Sequence, residues 1–267
     1  HVELEMQIAG SHIPQASLRE VACEAARGHG PTCPAARRHR ILGTPTQSGS
    51  NVTNPQDQRG ARREYLAEEL RRASLAQDPF EQFGKWFGEA CALDLLDATA
   101  MALATATGKG TPSVRIVLMK QYDVRGFCWY SDARSRKGAE LERNPRASLL
   151  FHWRELSRQV RISGVVERLP DEVARTYFAT RPRASQLAAA ASHQSAPVAD
   201  RETLMRRVET IDTAAAGAEI AKPDSWSAYR LAGSEFEFWQ GREGRLHDRF
   251  RYSRHTDGSW QIERLQP

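Results

Sequence analysis

The chain has 267 residues, 40% hydrophobic and 27% charged, and its 38 basic and 33 acidic side chains leave a net charge of +5. That length builds one large domain or two small ones. With no apolar run of about 18 residues and no basic start followed by an apolar stretch, neither a transmembrane helix nor a secretory signal is expected. The mild positive charge suits small anionic ligands and nucleic acid alike.

Four cysteines (Cys23, Cys33, Cys91, Cys128) are irregularly spaced. They imply no disulfide framework, and a reducing cytoplasm fits them. The run Cys23, His29, Cys33, His39 matches no standard zinc finger. Residues 1–60 read as a flexible extension, because "GTPTQSGSNVTNPQDQRGA" is polar and aperiodic. The ordered domain is expected over residues 61–267.

In chain order, "RREYLAEELRRASL" reads as a short helix and "DPFEQFGKWFGEAC" as a clearer one. Asp78 is its N-cap, Pro79 its first residue, and Glu81 completes a capping box. Phe80, Phe83 and Phe87 supply the apolar stripe. The period then shortens. "AMALATAT" and "PSVRIVLMK" are strands around a Gly108–Gly110 turn, the second placing Val114, Ile116 and Leu118 on one side. "FCWYSD" is a strand, and "SRKGAELERN" a helix capped by Ser135. "RASLLFHW" and "RQVRISGVVERL" are strands, and "PDEVARTYFATR" is a helix ended by Pro182. The small-residue segment "ASQLAAAASHQS" is followed by a helix near "DRETLMRRVETID". Strands "WSAYRLA", "EFEFWQ", "RLHDRFRY" and "WQIERL" close the chain. About eight hairpin-linked strands and four or five helices predict a mainly β, α+β fold: an antiparallel barrel with helices outside.

Several cations interrupt apolar strands or open helices. Arg115 lies within a strand and Lys120 ends it. Arg136 and Lys137 start a helix, where backbone N–H groups and the helix dipole favour a phosphate. Tyr177 and Arg181, four apart, share a helix face near Ser185, a set of donors able to hold a phosphate monoester. Solvated ion pairs explain each of these singly. No G-x-S-x-G elbow surrounds Ser195, and no Walker or dinucleotide fingerprint occurs. In "GRLHDRF", strand alternation puts Arg245, His247 and Arg249 on one face, with Leu246, Asp248 and Phe250 behind. A solvated edge strand reads the same way. The basic N-terminal segment lacks interleaved aromatics, which argues against nucleic acid as a partner.

Taken in order, "RREY", "RIVLMK", "SRKGAELERNPRASLLF", "RQVRISG", "YFATRPRASQ", "SHQS", "FWQG", "RLHDRF" and "ERLQP" resemble the pyridoxine/pyridoxamine 5′-phosphate oxidase family, from about Arg62 to Pro267. The resemblance implies a homodimeric FMN-binding split β-barrel with FMN in the cleft between subunits. It implies FMN contacts at Arg115, Ile116, Val117, Leu118, Met119, Lys120, Tyr130, Ser131, Arg136, Lys137, Gln159, Gln194, Ser195, Trp226 and Arg249. Lys120, Tyr177, Arg181 and Ser185 would hold the substrate phosphate. Arg245 and His247 would face the pyridine ring, and Arg62 and Tyr65 would form a lid. The implied reaction oxidises phosphorylated B6 vitamers with dioxygen, giving pyridoxal 5′-phosphate and hydrogen peroxide. Two departures stand out. Ser227 and Ala228 replace the family's two glycines after Trp226, and Ala188–Ala191 is plainer than usual.

Overall fold

The computed structural model describes residues 65, 67–93, 95 and 97–267. The expected extension over 1–60, the Cys23–His39 run and Arg62 lie outside the described residues. Helix α1 (Pro79–Ala92) begins as its sequence dictates: the Asp78 carboxylate accepts from the N–H groups of Phe80 and Glu81. Phe83 and Ala90 are fully buried, with Trp86 and Phe87 beside them.

The sheet is antiparallel throughout. Its strands are β1 (Ala100–Ala106), β2 (Pro112–Leu118), β3 (Gln121–Asp123), β4 (Gly126–Asp132), β5 (Arg146–Trp153), β6 (Arg158–Arg168), β7 (Trp226–Gln240), β8 (Asp248–Arg254) and β9 (Trp260–Leu265). Their order is β2-β1-β5-β6-β7-β4-β3, with β8 on β7 and β9 on β8. Sequential hairpins build most of it; β4 instead crosses to pair with the first half of β7. The β6–β7 register shifts at Ser163/Gly164. A Cβ on Gly164 would lie 2.0 Å from the Ala232 carbonyl oxygen, so only glycine permits that approach.

Two apolar clusters follow. In the larger, α1 packs on the sheet through Phe83, whose ring meets Phe127 edge-on at 4.9 Å and Phe151 at 5.0 Å. The smaller joins helices α3 (Asp171–Thr180), α4 (Arg183–Ala191) and α5 (Arg201–Ala215) to β4 and β7 through Phe178, Leu187, Trp226 and Ala228. Helix α2 (Arg136–Arg143) starts at Ser135, whose hydroxyl accepts from Gly138 N–H. No helix among the described residues is long and apolar enough to cross a membrane.

The fold is the expected mainly β architecture with peripheral helices, a curled split barrel; three local readings are corrected, and one segment left without an assigned element is a helix. Within "RREYLAEELRRASL" the described residues form only a 3-10 turn at Arg72–Ser74, because Leu70 N–H and its carbonyl are bound by Asp248 and Arg264 rather than by a helix. "ASQLAAAA" is helix α4: Pro182, expected to end a helix, also opens one as the residue before the first turn. "WSAYRLA" and "EFEFWQ" are one strand, β7, carried through Gly233. Finally, "RLHDRF" is not one strand. Gly244 and Arg245 both take positive φ, 62° and 64°, in a turn, and β8 starts only at Asp248. Arg245, His247 and Arg249 therefore do not share a strand face. Alternation holds only from Asp248 on, with Asp248, Phe250 and Tyr252 buried.

Candidate functional site

Three groups of polar and aromatic side chains lie at the edges of the two apolar clusters. The first surrounds the N-terminus of α2. Ser131 Oγ, on β4, donates to Gln194 Oε1 at 2.9 Å, and Lys137 Nζ donates to the same oxygen at 2.6 Å and to Ser135 Oγ at 3.2 Å. The Arg136 main-chain N–H donates to Ser195 Oγ at 3.2 Å. Arg115 reaches this corner from β2, bonding Thr105 Oγ1 at 2.6 Å and the Leu103 carbonyl at 3.0 Å. Glu140 ties the corner together: its carboxylate accepts from Ser113, Thr105 and Arg136, with Arg115 at 3.5 Å. Burial alone would raise its pKa; those hydrogen bonds and the Arg115 charge outweigh burial and hold it at about 2.

Lys137 differs from its neighbours. It is 7% exposed, and among the described residues both its hydrogen-bond acceptors are neutral oxygens. Burial first, then the Arg115 charge, pull its pKa down to about 8, and the Asp132 carboxylate, which forms no ion pair with it among the described residues, only partly opposes them. A buried ammonium without a carboxylate partner is costly unless an anion completes it. This cationic corner, with main-chain N–H groups at a helix start, fits the phosphate of FMN.

The second group is an aromatic stack beside it. Tyr130, adjacent to Ser131, stacks on Tyr177 at 4.1 Å and on Trp226 at 5.2 Å. Burial pushes the Tyr130 hydroxyl up to about 12. Arg181 ends α3 with extended backbone, and its guanidinium lies 5.0 Å from the Trp226 ring and 5.6 Å from Phe178. One Arg181 nitrogen, NH1, is buried with no hydrogen-bond partner. A guanidinium N–H free in this way can donate to an oxyanion. Ser185 sits in the first turn of α4, its N–H bonded to Pro182 O at 2.8 Å. Lys120 is exposed between β2 and β3, its main-chain N–H donating to Cys128 O at 2.9 Å. Met119 is buried, and Val117 packs on the core. Ile116 and Leu118 are 66% and 38% exposed on the opposite face of β2, with Val114 at 68%.

The third group lies beyond the other end of β7. His247 packs against Trp239 at 4.7 Å and against the half-buried Tyr65 at 5.5 Å, and its Nδ1 accepts from the Arg242 N–H at 3.0 Å. Gln159 sits opposite Trp239 on β6. Arg245 is exposed. Arg249 donates to Glu237 Oε1 and to Gln266 O, both at 2.9 Å. Reading the sequence missed Glu140, Arg242 and Asp248. Glu140 was signalled by its spacing of four from Arg136. Asp248, assigned to an apolar back, accepts from Leu70 N–H and Arg264 and lies 3.6 Å from Arg242.

The chain thus joins the first two groups and separates them from the third. None of the described hydrogen bonds, ion pairs or ring contacts links Arg181 to His247. Trp226 opens β7 and Trp239 nearly closes it, and at about 3.3 Å per residue the path between them is on the order of 40 Å.

A curled antiparallel sheet with peripheral helices, a cationic corner at one end and a separate cationic turn at the other is a split-barrel architecture. Residues 87–215 match the family model for pyridoxamine 5′-phosphate oxidase, and 226–267 match that for the pyridoxine 5′-phosphate oxidase C-terminal dimerisation region. The pyridoxine/pyridoxamine 5′-phosphate oxidase of Rubrobacter xylanophilus is 48% identical over 211 residues, 79% of this chain and 97% of the relative. That of Salinibacter ruber is 49% identical over 208 residues, 77% and 97% of the two chains. The chain belongs to the pyridoxine/pyridoxamine 5′-phosphate oxidase family, and its cofactor is FMN. Among solved structures, PhzG from Burkholderia lata, in complex with tetrahydrophenazine-1-carboxylic acid, superposes with a TM-score of 0.71 at 32% identity, over 75% of this chain and 99% of that one. A pyridoxamine 5′-phosphate oxidase-related FMN-binding protein from Nostoc punctiforme shares the fold at a TM-score of 0.60 and 15% identity, over 72% and 100%.

Proposed function

We propose that this protein oxidises pyridoxine or pyridoxamine 5′-phosphate to pyridoxal 5′-phosphate with dioxygen as acceptor, releasing hydrogen peroxide, as a homodimer whose site is built by both copies. The observation that carries this is the unsatisfied, buried guanidinium nitrogen of Arg181 beside the Tyr130–Tyr177–Trp226 stack. It is what a phosphorylated aromatic ring requires: a cation for the tail and flat surfaces next to it.

In this reading Arg115, Lys137, Ser131, Gln194, Ser195 and the start of α2 hold the FMN phosphate. Bound FMN supplies the ring that accepts a hydride equivalent from the substrate. Ile116 to Lys120, Gln159, Trp226 and Arg249 line the flavin. Arg181, Tyr177, Ser185 and Lys120 take the substrate phosphate, each charge-assisted bond contributing about 1.5–3 kcal/mol. Arg245 and His247 orient the pyridine ring. Because they lie at the far end of β7, they are supplied by the second copy. The dimerisation-region match and the exposed apolar face of β2 support such an arrangement.

The test is an assay of purified protein with pyridoxine 5′-phosphate and with unphosphorylated pyridoxine, read as peroxide formed. Turnover of the phosphate ester at least about a hundredfold more efficient is expected from two or three lost ionic bonds. Equal turnover of both rejects the phosphate clasp. Turnover of a carboxylated tricyclic substrate alone moves the protein to the reaction class suggested by its likeness to PhzG.

A further inference from the structure

The imidazole of His247 has one ring nitrogen already engaged. The main-chain N–H of Arg242 donates to Nδ1 at 3.0 Å. A backbone amide can only donate, so Nδ1 must offer its lone pair. In the neutral ring the proton then sits on Nε2.

That amide is clamped from two directions. Arg242 NH1 donates to the Ala67 carbonyl at 2.6 Å, and its Nε lies 3.6 Å from the Asp248 carboxylate. The preceding Gly241 N–H donates to Ser157 O at 2.8 Å. Tyr65 packs on Gly241 so closely that a Cβ there would lie 2.5 Å from its ring. The ring itself packs against both Trp239 and Tyr65, which also meet each other edge-on at 5.6 Å. It lines an open cavity of about 370 Å³ with Leu246, Arg264, Leu265, Gln266 and Pro267.

We propose that His247 serves the reaction as a neutral hydrogen-bond donor through Nε2, locked in that tautomer by the Arg242 amide, and that it takes no proton from the substrate. This rests on the reading above and deepens it. The group that meets Nε2 is an acceptor, an oxygen carried by the pyridine ring. The surrounding charges agree. Burial and the Arg245 guanidinium both lower the His247 pKa, and the Asp248 carboxylate opposes them. Arg242 and, across the cavity, Arg264 are further cations, and Tyr65 is the other titratable group against the ring. Protonating Nδ1 would also set two N–H groups face to face and break the Arg242 bond.

Long-range 1H–15N correlation spectra of histidine-labelled holoenzyme read the tautomer directly, with His247→Gln as the assignment control. A pyridine-type Nδ1 beside a protonated Nε2 at about pH 7 is expected. The opposite tautomer, or an imidazolium, overturns the proposal. Kinetics provide the second arm. The Gln amide donates from nearly the same place and cannot act as a base. His247→Gln should keep kcat/KM within about tenfold of wild type, while His247→Ala falls roughly a hundredfold. A Gln variant as slow as Ala assigns a base instead. If the wild type fails to oxidise phosphorylated B6 vitamers, the functional reading falls, and the spectra still decide the tautomer.

Discussion

Lys137, buried with only neutral oxygens as hydrogen-bond acceptors, and Arg181, one of four described residues with a buried side-chain nitrogen left without a partner, each give a measurable sign. Lys137 ionises near pH 8 in the folded protein, against an ordinary value of 10.5. A phosphate beside it restores the charge, so binding above pH 8 requires proton uptake. FMN affinity should therefore hold below about pH 8 and weaken above it, by up to about tenfold per pH unit. Fluorescence titration of the apoprotein with FMN checks this, and Lys137→Met should bind FMN more than about tenfold more weakly while losing the pH dependence. For Arg181→Ala, loss of a charge-assisted clasp predicts a rise in KM for pyridoxine 5′-phosphate of roughly ten- to a hundredfold, with FMN content unchanged by absorbance. Residue-level legibility was uneven for a physical reason. A cation in an apolar strand, such as Arg115, breaks a pattern and is visible in sequence. Glu140, the carboxylate beside it, sits on a helix where acidic residues and i,i+4 pairs are ordinary, so its spacing from Arg136 was a weak signal and its burial set it apart.

Between elements, the decisive contact is the one Glu140 makes from α2 to β1 and β2 through Thr105 and Ser113. It fixes where the start of α2 stands relative to Arg115. Breaking a buried ion pair by removing one partner costs roughly 3–5 kcal/mol, so Glu140→Ala should lower the midpoint of thermal unfolding by on the order of 10 °C and release FMN early. The sign with pH follows from its depressed pKa, about 2 against 4.5. Its stabilisation is complete above the unfolded value and disappears as pH falls toward 2, so wild type and variant should converge in acid denaturation followed by circular dichroism. Elements with caps and clean periodicity were legible. Asp78, Pro79 and Glu81 announced α1, and Ser135 announced α2. The misread elements share a cause: their conformation is set by distant partners. Leu70 meets Asp248 across the fold, and "RLHDRF" bends at Gly244 and Arg245 before alternation can begin. The alanine run of α4 lacks an apolar stripe to read, and it is helical because alanine favours helix and Leu187 and Ala191 find a pocket.

At the scale of the molecule, β7 sets the functional geometry. Its length separates the Trp226 end, beside Arg181, from the Trp239 end, beside His247, and on the proposed reading two copies complete each other's sites. Mixing Arg181→Ala with His247→Ala protein under exchange conditions should restore activity to about a quarter of wild type, since half the dimers are mixed and each has one intact site of two. No recovery would place both groups in a site within one chain. The exposed Val114 and Ile116 on edge strand β2 suggest where copies meet. Val114→Asp with Ile116→Asp should give monomers by sedimentation velocity and lose bound FMN, because buried charges there have no partner.

The sequence alone determined the mainly β fold class, the capped helices and the cationic residues set against local pattern, since caps, periodicity and buried charge are written in neighbouring residues. Family likeness assigned roles to those residues that spacing could not. Tertiary structure decided which donors were left without acceptors, which tautomer His247 holds and which groups β7 separates. These depend on contacts between residues far apart in the chain, where the burial of one group fixes the chemistry of another.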